Sequence, residues 1–309
     1  MITSKKVYEI IYFSIILYCL IVLSSCQKGI KNSDPITNPN PQVDVYVAGA
    51  EWNGSNWVAK YWKNGIAVNL TNGSRGAFAN YIYVSGNDVY VAGDEYSSAS
   101  SMSIAKYWKN GNPVYLSSSS TEASANSICV SGNDVYVAGS EFNGTHWVAK
   151  YWKNGQPVNL TDGSKDAQAK SIAVSGSNVY VAGYHYNGTA FVGTYWKNGI
   201  SQILTSNYYP NPSSIAVSGN DVYVAGSDYN GTITVAKYWK NGSPVTLSLN
   251  ISLNADAISI AVSGNDIYVA GSEYNGTKMI AGYWKNGIRV NLTVGVNGSS
   301  ASAIFIVKQ

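Results

Sequence analysis

Charged residues are scarce in this chain. Asp, Glu, Lys and Arg make up 12% of its 309 residues, against roughly 25% in an average soluble protein. The formal net charge is only +3, and no basic run is interleaved with aromatic residues. Nucleic-acid surfaces need concentrated positive charge, so the sequence predicts no nucleic-acid partner.

Cysteine and histidine are also scarce, which limits metal and nucleophilic chemistry. Of the three cysteines, only Cys129 lies outside the N-terminal segment, so no disulfide framework is expected. Cys129 replaces an alanine of a repeated apolar segment, which indicates a small buried residue rather than a nucleophile. His146 and His185 are the two histidines, and neither has a metal-ligand spacing. The sequence therefore predicts no metal, no cofactor and no catalytic residue, and it favours a protein that is not an enzyme.

A long hydrophobic run is missing except near the N terminus. Lys5 and Lys6 precede an apolar stretch over residues 10–23. The stretch is shorter than the ~20 residues of a membrane span and is typical of a signal peptide. It ends in Leu-Ser-Ser-Cys at residues 23–26. This ending resembles a bacterial lipoprotein signal, with an ordinary secretory signal as the alternative.

The lipoprotein resemblance implies a signal peptide over residues 1–25 and a diacylglyceryl group on the thiol of Cys26. Residues 26–42 then comprise the lipidated cysteine and a flexible, proline-containing tether. The expected partner of this segment is a membrane, reached through the N-terminal lipid. We expect a bacterial cell-envelope protein anchored in the outer membrane, with the periplasmic and the surface side both open.

What the sequence has in abundance is one repeated unit. Tyr-Trp-Lys-Asn-Gly occurs six times, with its tryptophan at positions 62, 108, 152, 196, 239 and 284. A segment of the type Val-Tyr-Val-Ala-Gly precedes each copy. A period of about 44 residues indicates a modular architecture, in which a pentapeptide common to all units serves the scaffold.

One unit contains four short strand patterns. In the third unit they cover residues 127–130, 134–140, 147–152 and 157–160, separated by turn residues that include Asn-Gly. Four antiparallel strands followed by a longer return are typical of one β-propeller blade. The chain resembles bacterial β-propeller repeats of an uncharacterised type, since the WD40, kelch and sialidase motifs are absent from it.

The two ends of the repeat region complement each other. The first unit lacks its innermost strand, and the chain ends in an extra Ser-Ala-Ile-Phe-Ile-Val segment at residues 302–307. A ring needs such ends because closure removes an exposed sheet edge. We therefore predict an all-β, six-bladed β-propeller of four-stranded antiparallel blades over residues 43–309. It is expected to be monomeric, with the C-terminal strand completing the first blade and closing the ring.

The first candidate set for ligand binding precedes the hairpin between strands two and three of each unit. We call the face formed by these hairpins and by the returns between blades the variable-loop face, because rigid scaffolds carry binding residues on such loops. An acidic residue or histidine stands beside an aromatic residue in every unit. The pairs are Glu51 and Trp52, Glu95 and Tyr96, Glu141 and Phe142, His185 and Tyr186, Asp228 and Tyr229, and Glu273 and Tyr274. Such pairs suit a sugar, and scaffold packing is the alternative.

The second candidate set lies at the expected mouth of the central channel, where the repeat varies. Its polar members are Asn80, Asn126, Lys170 and Asp256. Polar residues that differ between otherwise similar blades indicate a site, and drift in solvated loops is the alternative.

Three hypotheses for function follow. The favoured one is an envelope-anchored binding protein that recognises a glycan or an envelope protein on the variable-loop face. The second is a carbohydrate-active enzyme, a glycosidase or lyase, that uses carboxylates on the same face. The third is a purely structural or adhesive module.

Overall fold

Strands are the only regular secondary structure in the described part of the chain. The structure, a computed structural model, describes residues 44–97, 102–205, 210–248, 253–293 and 297–306. These residues belong to one unit, Asp44–Gln309. The predicted signal peptide, the lipidated Cys26 and the tether lie outside the described residues. Within those residues, no helix is long and apolar enough to cross a membrane.

The strands form six consecutive antiparallel sheets, which we call blades 1 to 6. Blade 1 consists of β1 (Tyr46–Trp52), β2 (Trp57–Lys63) and β3 (Ile66–Asn69). Blade 2 consists of β4 (Ala77–Ser85), β5 (Asp88–Tyr96), β6 (Ser103–Lys109) and β7 (Asn112–Tyr115). Blade 3 consists of β8 (Ala123–Ser131), β9 (Asp134–Phe142), β10 (Trp147–Lys153) and β11 (Gln156–Asn159).

The remaining blades repeat the same order. Blade 4 consists of β12 (Ala167–Ser175), β13 (Asn178–Tyr186), β14 (Phe191–Lys197) and β15 (Ile200–Thr205). Blade 5 consists of β16 (Asn211–Ser218), β17 (Asp221–Tyr229), β18 (Thr234–Lys240) and β19 (Ser243–Thr246). Blade 6 consists of β20 (Ala255–Ser263), β21 (Asp266–Tyr274), β22 (Met279–Lys285) and β23 (Ile288–Asn291).

The predicted all-β fold with six repeated blades is confirmed. In blades 2 to 6 the four strands lie side by side in chain order, and the first strands of successive blades contact one another. These first strands are longer than predicted, because β8 begins at Ala123 rather than at Ser127. The added residues continue the ladder across a β-bulge, so several residues expected in loops lie within strands.

An apolar interior lies between each of the five pairs of consecutive blades, from blades 1 and 2 to blades 5 and 6. Tyr90 and Tyr107 of blade 2, for example, pack against Val137 and Trp152 of blade 3. The repeated tryptophan is almost fully buried in five blades, at Trp108, Trp152, Trp196, Trp239 and Trp284. Burial of an aromatic side chain contributes about 2–3 kcal/mol, which explains why every blade carries one.

The rest of the repeated pentapeptide forms a turn with its own hydrogen bonds. In blade 3, Asn154 adopts a positive φ of 50°, and its Oδ1 accepts a hydrogen bond from Val135 N at 2.8 Å. Asn154 Nδ2 donates to Asp134 Oδ1 at 2.7 Å, and Lys153 Nζ lies 2.7 Å from Asp134 Oδ2. Lys153 also lies over the ring of Tyr136, 5.4 Å from its centroid. The pentapeptide is therefore scaffold, as the sequence indicates.

A bulge in the first strand of blades 2 to 6 explains the glycine of Val-Tyr-Val-Ala-Gly. In blade 3 the register shifts between Ala125 and Ser127, so Asn126 is the extra residue. The carbonyl oxygen of Ser124 then sits where a side chain at Gly139 would begin, 1.9 Å from an ideal Cβ. Any other residue at position 139 would collide with backbone, so the bulge and the glycine require each other.

Blade 1 is the exception to the four-stranded pattern, because in the described part of the chain its sheet contains β1, β2 and β3 alone. Val45 and Val47, beside its open edge, are 56% and 51% exposed, whereas Val89, the equivalent of Val45 in blade 2, is 7% exposed. The C-terminal residues 301–306 lie near blade 6, since Ile304 N donates to Ser259 Oγ at 3.2 Å. Closure of the ring by this segment stays a prediction.

Candidate functional site

The bulge residues of the first strands link neighbouring blades. Asn80 Nδ2 donates to Ala125 O at 3.0 Å, and Asn126 Nδ2 donates to Ala169 O at 2.7 Å. In both cases the acceptor is the residue just before the next bulge. Two of the predicted channel-mouth residues, Asn80 and Asn126, thus have a structural partner in the following blade.

Lys170 is the bulge residue of blade 4, and it departs from this pattern. The register of β12 shifts between Ala169 and Ser171, which places Lys170 where blade 3 has Asn126. Its ammonium lies 5.6 Å from the ring centroid of Tyr184, and no carboxylate among the described residues forms an ion pair with it. Burial lowers the pKa of Lys170 to about 8, because a cation without a counter-ion is disfavoured away from water.

Two half-buried or buried carboxyl groups lie on the first two strands of their blades. Burial raises the pKa of Asp94 to about 6, against hydrogen bonds from Ser103 and Asn80 that lower it. Asp94 Oδ1 accepts from Asn80 Nδ2 at 2.9 Å. Burial also raises the pKa of Asp256, whose Oδ1 accepts from Ser227 Oγ at 3.1 Å. Asp256 lies on β20 of blade 6 and Lys170 on β12 of blade 4, and no ion pair joins them.

The acidic members of the acid-aromatic pairs are held in ion pairs within their own blades. The partner is the lysine of the Ala-Lys-Tyr-Trp segment, as for Lys106 Nζ, which lies 2.5 Å from Glu95. The same pairing joins Glu51 to Lys60, Glu141 to Lys150 and Asp228 to Lys237. These carboxylates already have a cationic partner, which favours a structural role for them.

Two blades replace this ion pair in different ways. In blade 6, Gly282 stands at the lysine position, and Arg289 approaches Glu273 from the next strand at 4.0 Å. In blade 4, His185 replaces the acid and Thr194 replaces the lysine, with 3.0 Å between Thr194 Oγ1 and His185 Nδ1. Burial, followed by the charge of Lys165, lowers the pKa of His185, so its imidazole is neutral near pH 7. The lysines were missed as partners, although their joint change with the acid in blade 4 is visible in the sequence.

The aromatic members form ring contacts in three of the blades. Trp52 is 52% exposed and meets Trp57 edge-on, with 5.7 Å between ring centroids. Phe142 contacts Trp147 at 5.8 Å, and Tyr186 contacts Phe191 at 5.4 Å. The other three members are Tyr96, which is exposed, and Tyr229 and Tyr274, which are half-buried. Among the described residues, no ring contact joins two of these six aromatic residues.

A polar hollow opens on the variable-loop face between blades 3 and 4. It has a volume of about 270 Å³ and is lined by Thr161, Asp162, Ser164, Lys165, His185, Tyr186 and Asn187. The return loop after blade 3 supplies the first four residues and the hairpin of blade 4 supplies the last three. Lys165 Nζ donates to Asn187 O at 3.0 Å and so joins the two loops.

The hollow brings together two predicted site residues, His185 and Tyr186, and adds residues that the sequence did not single out. Asp162 is ionised, because hydrogen bonds from the backbone and hydroxyl of Ser164 lower the pKa of its carboxyl. The hollow thus offers one aromatic ring, a carboxylate, an ammonium group and amide groups within a small volume. Such a mixture of donors and acceptors beside a ring suits a polar ligand with an apolar face.

Neither a metal-binding cluster nor a reactive thiol occurs in the part of the chain that the structure describes. Among the described residues, no three of His, Cys, Asp and Glu are grouped so as to hold a metal ion. Cys129 is buried, and burial raises the pKa of its thiol to about 12. A thiol with such a pKa is protonated and a poor nucleophile at neutral pH.

Comparison with known proteins shows the fold alone. No protein-family model matches the sequence, and no curated protein is similar to it. TolB from Acinetobacter baumannii matches the structure with a TM-score of 0.52 at 12% identity, over 84% of this chain and 66% of TolB, just under two thirds of its length. A thermostable family-43 glycoside hydrolase has a TM-score of 0.43 at 13% identity, over 72% of this chain and 94% of its own. The likeness to TolB shows that the two chains share a β-propeller fold.

Proposed function

We propose that this chain is a lipid-anchored binding protein of the bacterial cell envelope that recognises a glycan on its variable-loop face. The lipid anchor rests on the Leu-Ser-Ser-Cys motif that ends at Cys26. The observation that carries the binding role is the hollow between blades 3 and 4, with Tyr186 beside Lys165 and Asp162. A partner envelope protein is the alternative ligand on the same face.

The chemistry of the hollow supports a glycan over an apolar small molecule. A sugar ring presents C–H groups on one face, which stack on an aromatic ring such as Tyr186. Its hydroxyl groups donate to carboxylates such as Asp162 and accept from Lys165, both of which line the hollow. Loops on a rigid scaffold are where such contacts are usually built.

The arrangement of the predicted carboxylates gives less support to the alternative, a glycosidase or lyase. Cleavage of a glycosidic bond uses two carboxyl groups that face each other across the substrate. Four of the predicted acids are instead paired with a lysine of their own blade. Asp94 has a pKa raised to about 6, but Asn80 and Ser103 both donate to it.

The proposal is tested by removal of the aromatic ring in the hollow. The full-length protein, in detergent, is incubated with a panel of polysaccharides, and both binding and released products are measured. We expect Tyr186→Ala to weaken binding by roughly tenfold, the loss typical of one stacked aromatic residue. Tyr229→Ala is the matched control, because Tyr229 has the same repeat position in blade 5.

The outcomes separate a glycan-binding protein, a carbohydrate-active enzyme and a protein that binds an envelope partner. Binding that falls for Tyr186→Ala and survives for Tyr229→Ala, with no product released, supports the binding protein. Release of shortened oligosaccharides contradicts it and favours the enzyme. A panel without any bound glycan contradicts the glycan proposal, and capture of an envelope protein then tests the alternative.

A further inference from the structure

Blade 4 differs from the other blades in its charges. No Asp or Glu occurs between Asp166 and Asp221, a stretch that contains the whole of blade 4. Asn178 stands where blade 3 has Asp134, and His185 stands where blade 3 has Glu141. Both substitutions remove a carboxylate from a position that carries one in most of the other blades. Asn178 leaves Lys197 without the aspartate that pairs with the turn lysines of other blades, such as Lys153.

Lys170 is the cation of this blade whose position has no evident structural role in the fold. Its bulge position is occupied by Asn80 and Asn126 in the two preceding blades, and each of those amides donates to the next blade. In blade 5 the bulge residue Ser213 does the same, with 2.8 Å between its Oγ and Ala257 O. Lys170 places a half-buried charge where these three blades have a neutral hydrogen-bonding residue. The fold does not need a charge at this position, since the other blades form without one.

We propose that Lys170 binds an acidic group of the ligand, so that the recognised glycan carries a carboxylate, sulfate or phosphate. This inference rests on the proposed function and specifies its ligand. A half-buried ammonium without an ion pair is costly, and an anion placed beside it recovers the lost interaction as a charge-assisted hydrogen bond.

The surroundings of Lys170 favour an anion over a neutral group. Its ammonium lies over Tyr184, which occupies the strand position that Asp94 has in blade 2. Lys165, on the loop that enters blade 4, acts instead on Asp162 and His185, since its charge adds to the hydrogen bonds and to the burial that, respectively, lower the pKa of these two groups. Lys170 thus lies over an aromatic ring at a place where blade 2 has a carboxylate, and no ion pair among the described residues neutralises its charge.

The test uses two polymers that differ at the carboxyl group, which is ionised in one and a neutral methyl ester in the other. Full-length protein in detergent is titrated with polygalacturonate and with its fully methyl-esterified form. We expect the acidic polymer to bind at least about tenfold more tightly, the effect of one charge-assisted contact. Lys170→Gln removes this preference, whereas Lys170→Arg retains it because the positive charge remains. Lys197→Gln is the matched control, since Lys197 is the turn lysine of the same blade and its ammonium lies over Tyr180, 5.4 Å from the ring centroid.

A second measurement does not depend on glycan binding. Lysines are labelled by reductive ¹³C-methylation, and the Lys170 resonance is identified by its loss in Lys170→Arg. We expect this resonance to shift on addition of galacturonate, with sulfate and phosphate as separate arms that identify the preferred anion. No shift with any of the three overturns the proposal.

The failures of the two proposals are distinguishable. Equal affinity for the acidic and the esterified polymer overturns the role of Lys170 and leaves the glycan-binding function standing. A shift of the Lys170 resonance without binding of any polysaccharide supports the anion site and contradicts the glycan function. Equal binding by wild type and Lys170→Gln also overturns the role of Lys170.

Discussion

The side-chain amide of Asn126 donates a hydrogen bond to the carbonyl oxygen of Ala169, 2.7 Å away and 43 residues later in the chain. The bond joins the bulge of one blade to the residue before the bulge of the next. Asn80 makes the same contact one blade earlier, and Ser213 makes it one blade before the last. A variable position in the repeat thus carries a structural function in three blades, which the sequence alone did not reveal.

We expect Asn126→Ala to lower the free energy of unfolding by about 1–2 kcal/mol, because Ala169 O loses its side-chain partner in a half-buried site. Urea denaturation of the wild type and the variant measures the difference. Asn126→Ser is the matched control, because serine makes the same inter-blade contact at Ser213. Equal loss of stability in both variants contradicts the role of the hydrogen bond.

Lys170→Asn should raise the free energy of unfolding by about 1 kcal/mol, which is the opposite sign from most substitutions. It removes a half-buried cation and restores the residue type found at Asn80 and Asn126. The same denaturation experiment tests it. The variant is also expected to lose the preference for acidic glycans, since residues kept for function often reduce stability. A destabilised Lys170→Asn protein would show that the lysine itself supports the fold.

Two neighbouring residues in the turn of the repeated pentapeptide are expected to contribute differently to stability. Asn154→Ala should cost about 1–2 kcal/mol, because it removes two hydrogen bonds and places alanine at a positive φ of 50°. Lys153→Ala should cost less, since its ion pair with Asp134 lies on the surface. Thermal unfolding of the two variants measures the order. The reverse order would indicate that the lysine, rather than the asparagine, holds the turn.

Asp94 makes stability depend on pH. Its pKa is raised to about 6 by burial from an ordinary value of 3.8, so the folded protein binds the proton more tightly than the unfolded chain. Its favourable contribution is fully present below about pH 4 and is lost as the pH rises through about 6. Asp94→Asn should therefore stabilise the protein at pH 7.5 relative to pH 4, by up to about 3 kcal/mol. Parallel stability curves for variant and wild type, from pH 4 to pH 8, would contradict this.

The blade pattern could be predicted from the sequence because it depends on local signals. The strand bounds of blade 3 could be predicted to within a few residues from the Asn-Gly turns, the alternating apolar residues and the repeat period. The early start of β8 was missed, because Ser124 and Asn126 are polar. The signal that could have found the bulge is Gly139, since an invariant glycine in a strand often faces a close backbone approach.

The candidate site was harder to predict because it combines residues that are distant in sequence. Glu95 and Lys106 are 11 residues apart and meet because their strands pair in one particular register. The hollow needs the return loop of blade 3 and the hairpin of blade 4 to lie together, which depends on the packing of two blades. His185 and Tyr186 were among the candidates, whereas Lys165 was not, because nothing in the repeat marks it.

The predicted closure of the ring implies a specific strand register between residues 301–306 and β1. The contact between Ile304 N and Ser259 Oγ repeats the contact between Ile260 N and Ser214 Oγ, so Ile304 is equivalent to Ile260. Ile260 pairs with Val269 in blade 6, and the equivalent pair in blade 1 is Ile304 with Val47. Pairing there would cover two half-exposed valines and remove the open edge of β1.

A disulfide between Val47→Cys and Ile304→Cys should therefore form within one chain. We expect oxidation to give a monomer with altered mobility on non-reducing gels and a higher melting temperature, because a cross-link between distant residues restricts the unfolded chain. Ile66→Cys with Ile304→Cys is the control, since Ile66 begins the outermost strand β3 and cannot reach the inner edge. Cross-linked dimers, or equal reaction of both pairs, would show that residues 301–306 do not complete blade 1 of the same chain.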